Sequence, residues 1–110
     1  MLDLNEIRSR IDKIDQQMVA LFEERMAACR EVAQFKIATG KPVLDREREK
    51  QKISALRAQA HDQFNARSVE ELFTQIMAMS RKMQYQLLAE HGSGPKIPFE
   101  AVDGLKKEHV

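Results

Sequence analysis

The sequence predicts an all-α fold of three helices per protomer, one of them very long, and three observations support this prediction. Apolar residues recur at helical spacing over most of the first 90 positions. Aromatic residues make up only 5% of the chain, and before position 92 glycine occurs only at Gly40 and proline only at Pro42, so few strand or hairpin signals are present. The 43% hydrophobic and 32% charged residues are typical of an ordered protein.

The first helix is predicted from about Leu4 to Ala38. Five heptads run through it, and their core positions form two columns: Leu4, Ile11, Met18, Arg25 and Val32, and Ile7, Ile14, Leu21, Ala28 and Phe35. Asp3 or Asn5 can cap its start, and the stretch from Thr39 to Pro42 predicts a firm stop. At about 1.5 Å per residue, such a helix is about 50 Å long.

Two shorter helices are predicted to follow. The second begins near Asp45, which can cap it, carries Ile53, Leu56 and Ala60 on one face, and weakens over residues 61–66. The third begins at Ser68, because Ser68 and Glu71 have the spacing of a capping box, and it ends near Glu90. Its apolar face is formed by Val69, Phe73, Ile76, Met83 and Leu87, and Ser80 and Gln84 are polar interruptions of that face.

Residues 1–91 are therefore predicted to form one helical domain, and residues 92–110 a flexible tail or the start of an interdomain linker. Two short helices cannot cover a five-heptad stripe about 50 Å long. We therefore expect a second copy of the chain to cover the stripe in an intertwined two-fold homodimer.

Composition excludes several classes of function. With 18 basic and 17 acidic residues, the chain has no excess charge for nucleic acid or for a membrane surface. The three histidines lack metal-ligand spacing and the single Cys29 has no paired histidine or cysteine nearby, so we expect no metal site and no cysteine nucleophile. Residues 1–20 are charged, unlike a signal peptide, and no apolar run of about 20 residues is present, which predicts a cytoplasmic protein.

The candidate site starts from Arg25, a guanidinium in an otherwise apolar stripe, which needs an anion if it is buried. Lys36 lies eleven residues later, about 16 Å away on nearly the same side, so both can converge on a small acid. Arg8 lies about 25 Å from Arg25 along the helix, but an antiparallel partner helix can bring its own Arg8 to that end. Two guanidiniums and one ammonium suit a dianion.

Other polar residues complete the candidate set. Asp45, Arg48 and Glu49 share the first turn of the second helix, where a carboxylate can accept a hydrogen bond from a ligand hydroxyl. Ser80 and Gln84 lie one turn apart on the third helix, and Gln84 can donate to a ligand oxygen. The alternatives are a structural buried salt bridge at Arg25 and solvated or boundary positions for the others.

These segments resemble one family, the all-helical chorismate mutases of the AroQ type, which occur free-standing or as the amino-terminal domain of bifunctional proteins of aromatic amino acid synthesis. The resemblance covers about residues 4–90 and does not extend into the tail. Order, spacing and residue type agree in five segments: Ile7 to Asp15, Leu21 to Met26, Val32 to Lys36, Lys41 to Glu49, and Met79 to Gln84.

The resemblance implies the rearrangement of chorismate to prephenate in phenylalanine and tyrosine biosynthesis, without metal or cofactor, in a homodimer with two equivalent sites. In the roles it implies, Arg8 from the partner chain and Arg25 pair with the two carboxylates, assisted by Ser80. Lys36 and Gln84 flank the ether oxygen. Glu49, with Asp45 and Arg48, holds the ring hydroxyl side. The alternatives are an isochorismate-pyruvate lyase on the same scaffold and a non-catalytic dimerisation or regulatory module.

Overall fold

A computed structural model describes residues 1–91 of the chain, and the predicted tail lies outside the described residues. Three helices make up this region: α1 is Leu4–Thr39, α2 is Arg46–Arg57 and α3 is Gln63–His91. No strand occurs within residues 1–91, so the predicted all-α class is confirmed. None of these helices has an apolar stretch long enough to cross a membrane.

Local capping explains where α1 begins and ends. The Asp3 side chain accepts from the backbone N–H of Asn5 at 3.0 Å, which satisfies one of the free donors of the first turn. At the other end, Gly40 adopts a left-handed conformation with φ of 74°, and its N–H donates to the carbonyl of Lys36 at 2.8 Å. Glycine suits this position because it has no Cβ to strain the left-handed backbone. Both predicted boundaries are confirmed to within one residue.

Asp45 caps α2, as predicted from the sequence. Its carboxylate accepts from the backbone N–H of Arg48 at 3.0 Å, and two acidic residues, Glu47 and Glu49, occupy the first turn, where they complement the helix dipole. The helix ends at Arg57, so Ala60 lies in the turn that follows rather than on the helix.

The predicted start of α3 at Ser68 is wrong, because the helix begins five residues earlier at Gln63. Asp62 is the capping residue: its Oδ1 accepts from the backbone N–H of Asn65 at 2.7 Å, and its backbone carbonyl accepts from Ala66 at 2.9 Å. Ser68 lies inside the helix with an exposed side chain. Residues 61–66, where the sequence predicts that the second helix weakens, instead contain the cap and first turn of α3.

Because Asp62 rather than Ser68 caps α3, substitutions at these two positions should differ in their effect on stability. Asp62→Ala should lower the free energy of unfolding by about 1 kcal/mol, because it removes the acceptor for the first-turn N–H. Ser68→Ala should change it by no more than about 0.5 kcal/mol, as expected for an exposed position in a helix. Urea unfolding of both variants measures these changes. A larger loss of unfolding free energy for Ser68→Ala than for Asp62→Ala would indicate that the helix begins at Ser68.

Helix α3 packs against both α1 and α2. Arg25 of α1 meets Ser80 of α3, and farther along α1 Ile37 packs against the cluster that contains Tyr85 and Leu88 of α3, so these two helices run parallel. Helix α2 runs antiparallel to α3, since its start contacts Arg81 and its end contacts Glu70. The core near the α1–α2 loop contains Val43, Tyr85 and Leu88, with Ile37 packed against it.

The amino-terminal half of α1 extends beyond this packing. In residues 1–21 every side chain is exposed except Ile7, which is half-buried. The other five stripe residues of this half are 48% to 63% exposed: Leu4, Ile11, Ile14, Met18 and Leu21. An exposed apolar surface of this length is typical of an interaction site, as expected if a second chain covers the stripe.

Candidate active site

Arg25 and Ser80 meet between α1 and α3. Arg25 Nη1 donates to Ser80 Oγ at 3.0 Å and approaches Cys29 Sγ at 3.6 Å. Ser80 is only 5% exposed, and its hydroxyl donates to the carbonyl of Ile76 at 3.0 Å. Within residues 1–91, no carboxylate pairs with Arg25. A guanidinium that is partly buried beside a neutral hydroxyl retains donors for an anion, so the structure gives no support to a structural salt bridge here.

Lys36 is positioned by the loop between α1 and α2. Its Nζ donates to the backbone carbonyl of Val43 at 2.7 Å, which uses one of the three donors of the ammonium group. Val43 is itself buried in the core, so the carbonyl is fixed. An open pocket of about 490 Å³ lies beside this group, and it is lined by Lys36, Lys41, Pro42, Leu44, Asp45 and Arg46. The structure therefore brings Lys36 and Asp45 to one pocket.

Gln84 lies one turn beyond Ser80 on α3 and is 6% exposed. Its Oε1 is buried and has no hydrogen-bond partner within the part of the chain that the structure describes. An unpaired buried polar atom costs about 1–3 kcal/mol, so a partner from a ligand or a second chain would be favourable. Rotation of the amide exchanges its oxygen and nitrogen, so the same position can accept or donate.

Glu49 forms an ion pair that the sequence did not predict. Arg81 Nη1 donates to Glu49 Oε1, and the pair joins the first turn of α2 to α3 beside Ser80. The alternative of a solvated position does not hold for Glu49, which is partly buried while its four neighbours in residues 46–50 are exposed. Arg81 follows Ser80 directly in the sequence, which was the only available signal for it.

The remaining predicted residues are not brought to the cluster within one chain. The Arg48 side chain is exposed, and its backbone N–H serves the Asp45 cap. Arg8 is exposed on the uncovered half of α1, about 25 Å from Arg25 along the helix axis. Within a single chain, Arg25 meets Ser80, and Gln84 lies one turn from Ser80 on α3. Lys36 shares a pocket with Asp45, and Glu49 pairs with Arg81.

The charges and donors of this cluster indicate its chemistry. Arg25, Lys36 and Arg81 are cationic, Glu49 is anionic, and Ser80 and Gln84 are neutral hydrogen-bonding groups. The excess of positive charge suits a small acid. Among residues 1–91, no group of three histidine, cysteine or acidic side chains has the arrangement of a metal site. The cluster can orient an anion and stabilise charge that develops on an oxygen.

Sequence comparisons identify the family of this chain. The sequence matches the family described as Chorismate mutase type II over residues 7–85, a span that contains every candidate site residue. A curated protein from Methanocaldococcus jannaschii named chorismate mutase is 45% identical over 47 residues, which cover 43% of this chain and 48% of that protein. The matched region thus spans about half the length of that relative. No solved structure gives a significant match. Since the family match extends over more than two thirds of the chain, this protein belongs to the chorismate mutase type II family.

Proposed function

We propose that this protein is a chorismate mutase, an isomerase that converts chorismate to prephenate by an intramolecular Claisen rearrangement. The observation that carries the proposal is Arg25, a partly buried guanidinium bonded to Ser80 and paired with no carboxylate of residues 1–91. Family membership supports the same reaction. The free thiol of Cys29 is compatible with a reducing compartment, and we propose the cytoplasm.

The proposed active unit is a homodimer in which the uncovered half of α1 packs against a second copy. The exposed stripe from Leu4 to Leu21 supports this assembly, because a second copy would bury it. An antiparallel arrangement of the two long helices would bring Arg8 of the partner subunit to Arg25. The two guanidiniums would then bind the two carboxylates of chorismate, with Ser80 assisting.

The proposed catalytic groups are Lys36, Gln84 and Arg25. Lys36 and Gln84 would donate to the ether oxygen, on which negative charge develops as the C–O bond breaks. Glu49 would accept from the ring hydroxyl, with Asp45 and Arg48 at the same side. The rearrangement breaks one C–O bond and forms one C–C bond within a single molecule, so it needs no nucleophile and no net proton transfer.

The magnitudes are consistent with a site of this kind. An acceleration of about 10⁶-fold corresponds to about 8 kcal/mol off the barrier. One preorganised donor to a developing oxyanion supplies about 3–4 kcal/mol, so Lys36 and Gln84 can provide much of it. Restriction of chorismate to its reactive conformation by the arginines contributes the rest.

Parallel incubations with chorismate and isochorismate test the reaction against its nearest rival. A mutase forms prephenate from chorismate, whereas an isochorismate-pyruvate lyase releases pyruvate from isochorismate. The proposal expects prephenate as the main product. Pyruvate release as the faster reaction would assign the lyase activity instead.

Mixed dimers test whether Arg8 acts across the interface. Arg8→Ala and Lys36→Ala dimers are each expected to be nearly inactive. Co-refolding equal amounts should restore about one quarter of wild-type activity, because half of the dimers are mixed and each mixed dimer has one intact site. Activity no higher than the mean of the two variants would show that Arg8 and Lys36 do not serve one site from different chains.

A further inference from the structure

We propose that Arg81 is a positioning residue for the ring-hydroxyl side of the site, acting through the carboxylate of Glu49. The inference rests on the proposed function, in which Glu49 accepts from the hydroxyl of chorismate. Arg81 does not itself contact the substrate in this proposal. Its role is to fix the carboxylate and to compensate its charge.

The geometry of the pair supports this role. Arg81 Nη1 donates to Glu49 Oε1, and the two side chains are only 29% and 24% exposed. This degree of burial makes the pair less screened by water and salt than an ion pair at the surface. Helix α2 has no fully buried residue, so a contact that joins its first turn to α3 matters for where that turn lies.

The chemistry of the carboxylate explains why it needs a partner. A carboxylate offers two oxygens with about four acceptor positions, so Arg81 can hold Oε1 while Oε2 accepts from a ligand hydroxyl. An uncompensated Glu49 would repel a dianionic substrate. Arginine suits the task, because its guanidinium remains charged and directs its donors in a fixed plane.

The chain supplies a matched control in a second ion pair between the same helices. Arg57 Nη1 lies 2.9 Å from Glu70 Oε2, with side chains 40% and 46% exposed. Because α2 is antiparallel to α3, this pair lies at the opposite end of α2 from Glu49. It contributes to the same helix packing but is remote from the candidate site.

The test compares the two pairs by steady-state kinetics with chorismate. Arg81→Met should lower kcat/KM by about tenfold, mainly through a higher KM, since a contact to the ring hydroxyl stabilises ground state and transition state alike. Arg57→Met should leave both constants within about twofold. Arg81→Lys retains the charge, so its KM should lie between those of the wild type and Arg81→Met. This variant replaces Arg81→Met in the test if the methionine variant unfolds. Circular dichroism and urea unfolding report the stability of each variant.

The same substitutions in a Glu49→Gln background identify the route of the effect. If Arg81 acts through Glu49, Arg81→Met should add little to the loss that Glu49→Gln already causes. An equal loss in both backgrounds, or an unchanged KM for Arg81→Met in an active protein, would overturn the inference and leave the mutase assignment intact. Absence of turnover by the wild-type protein would overturn the proposed function and this inference together.

Discussion

Replacement of Lys36 by alanine is expected to lower kcat for prephenate formation by about 10²–10³-fold, the effect of removing one preorganised donor to a developing oxyanion. The structure supports preorganisation, because Nζ is held 2.7 Å from the carbonyl of Val43, a buried residue of the core. In the proposed site, the donors that this contact leaves unused bind the ether oxygen of chorismate. The measurement is the initial rate at saturating chorismate.

Lys41 is the matched control for this prediction. It lines the same open pocket, and its ammonium lies 5.5 Å from the centre of the Phe35 ring rather than on the Val43 carbonyl. Lys41→Ala should change kcat by less than about threefold, as expected for an exposed charge outside the reacting geometry. Equal losses at Lys36 and Lys41 would mean that general positive charge, rather than a directed donor, supports the reaction.

Replacement of Arg25 by alanine is expected to lower kcat/KM by about 10²–10³-fold. Loss of one member of a desolvated charge pair costs about 2–5 kcal/mol. The substitution would remove the proposed bond from Arg25 to a substrate carboxylate as well as its bond to Ser80. Arg30 is the control, because it is an exposed arginine on the same helix, and Arg30→Ala should remain within about twofold of wild type.

Ser80→Ala removes the hydroxyl that accepts from Arg25 and leaves the guanidinium in place. The expected loss is about tenfold, the low end for a hydrogen bond to a charged group (about 1.5–3 kcal/mol), because Arg25 remains to bind the carboxylate. The predicted order of loss therefore places Lys36 and Arg25 well above Ser80. Comparable losses at all three positions would contradict the proposal that Lys36 and Arg25 provide most of the electrostatic stabilisation of the transition state.

Features set by local interactions were predictable from the sequence. Asp3, Gly40 and Asp45 act within one helical turn of their own positions, so their side chains or backbone preferences predicted the helix boundaries. The start of α3 was missed because Asp62 and Ser68 both have capping chemistry, and the periodic apolar face favoured the later one. Residues 63–67 form the first part of the helix, but they contain few apolar residues and so give no periodic signal for it.

In the candidate site, too, the contacts that depend on helix packing or on a second chain were not predictable from local sequence patterns. The heptad pattern predicts that a buried Arg25 needs an anion, but it does not predict the contact with Ser80. That contact depends on how α3 packs against α1, because the two residues lie 55 positions apart in the sequence. The Arg81–Glu49 pair depends on the antiparallel register of α2 and α3, which no local pattern encodes. The role of Arg8 depends on a second chain and stays a prediction.

The most direct measurement is the loss of chorismate with purified wild-type protein at neutral pH, with the product identified by acid conversion of prephenate to phenylpyruvate. The account predicts catalysed formation of prephenate by a dimeric protein, without added metal or cofactor. Intact, folded dimers that form no prephenate would contradict it and would favour a binding or regulatory module built on the same helices.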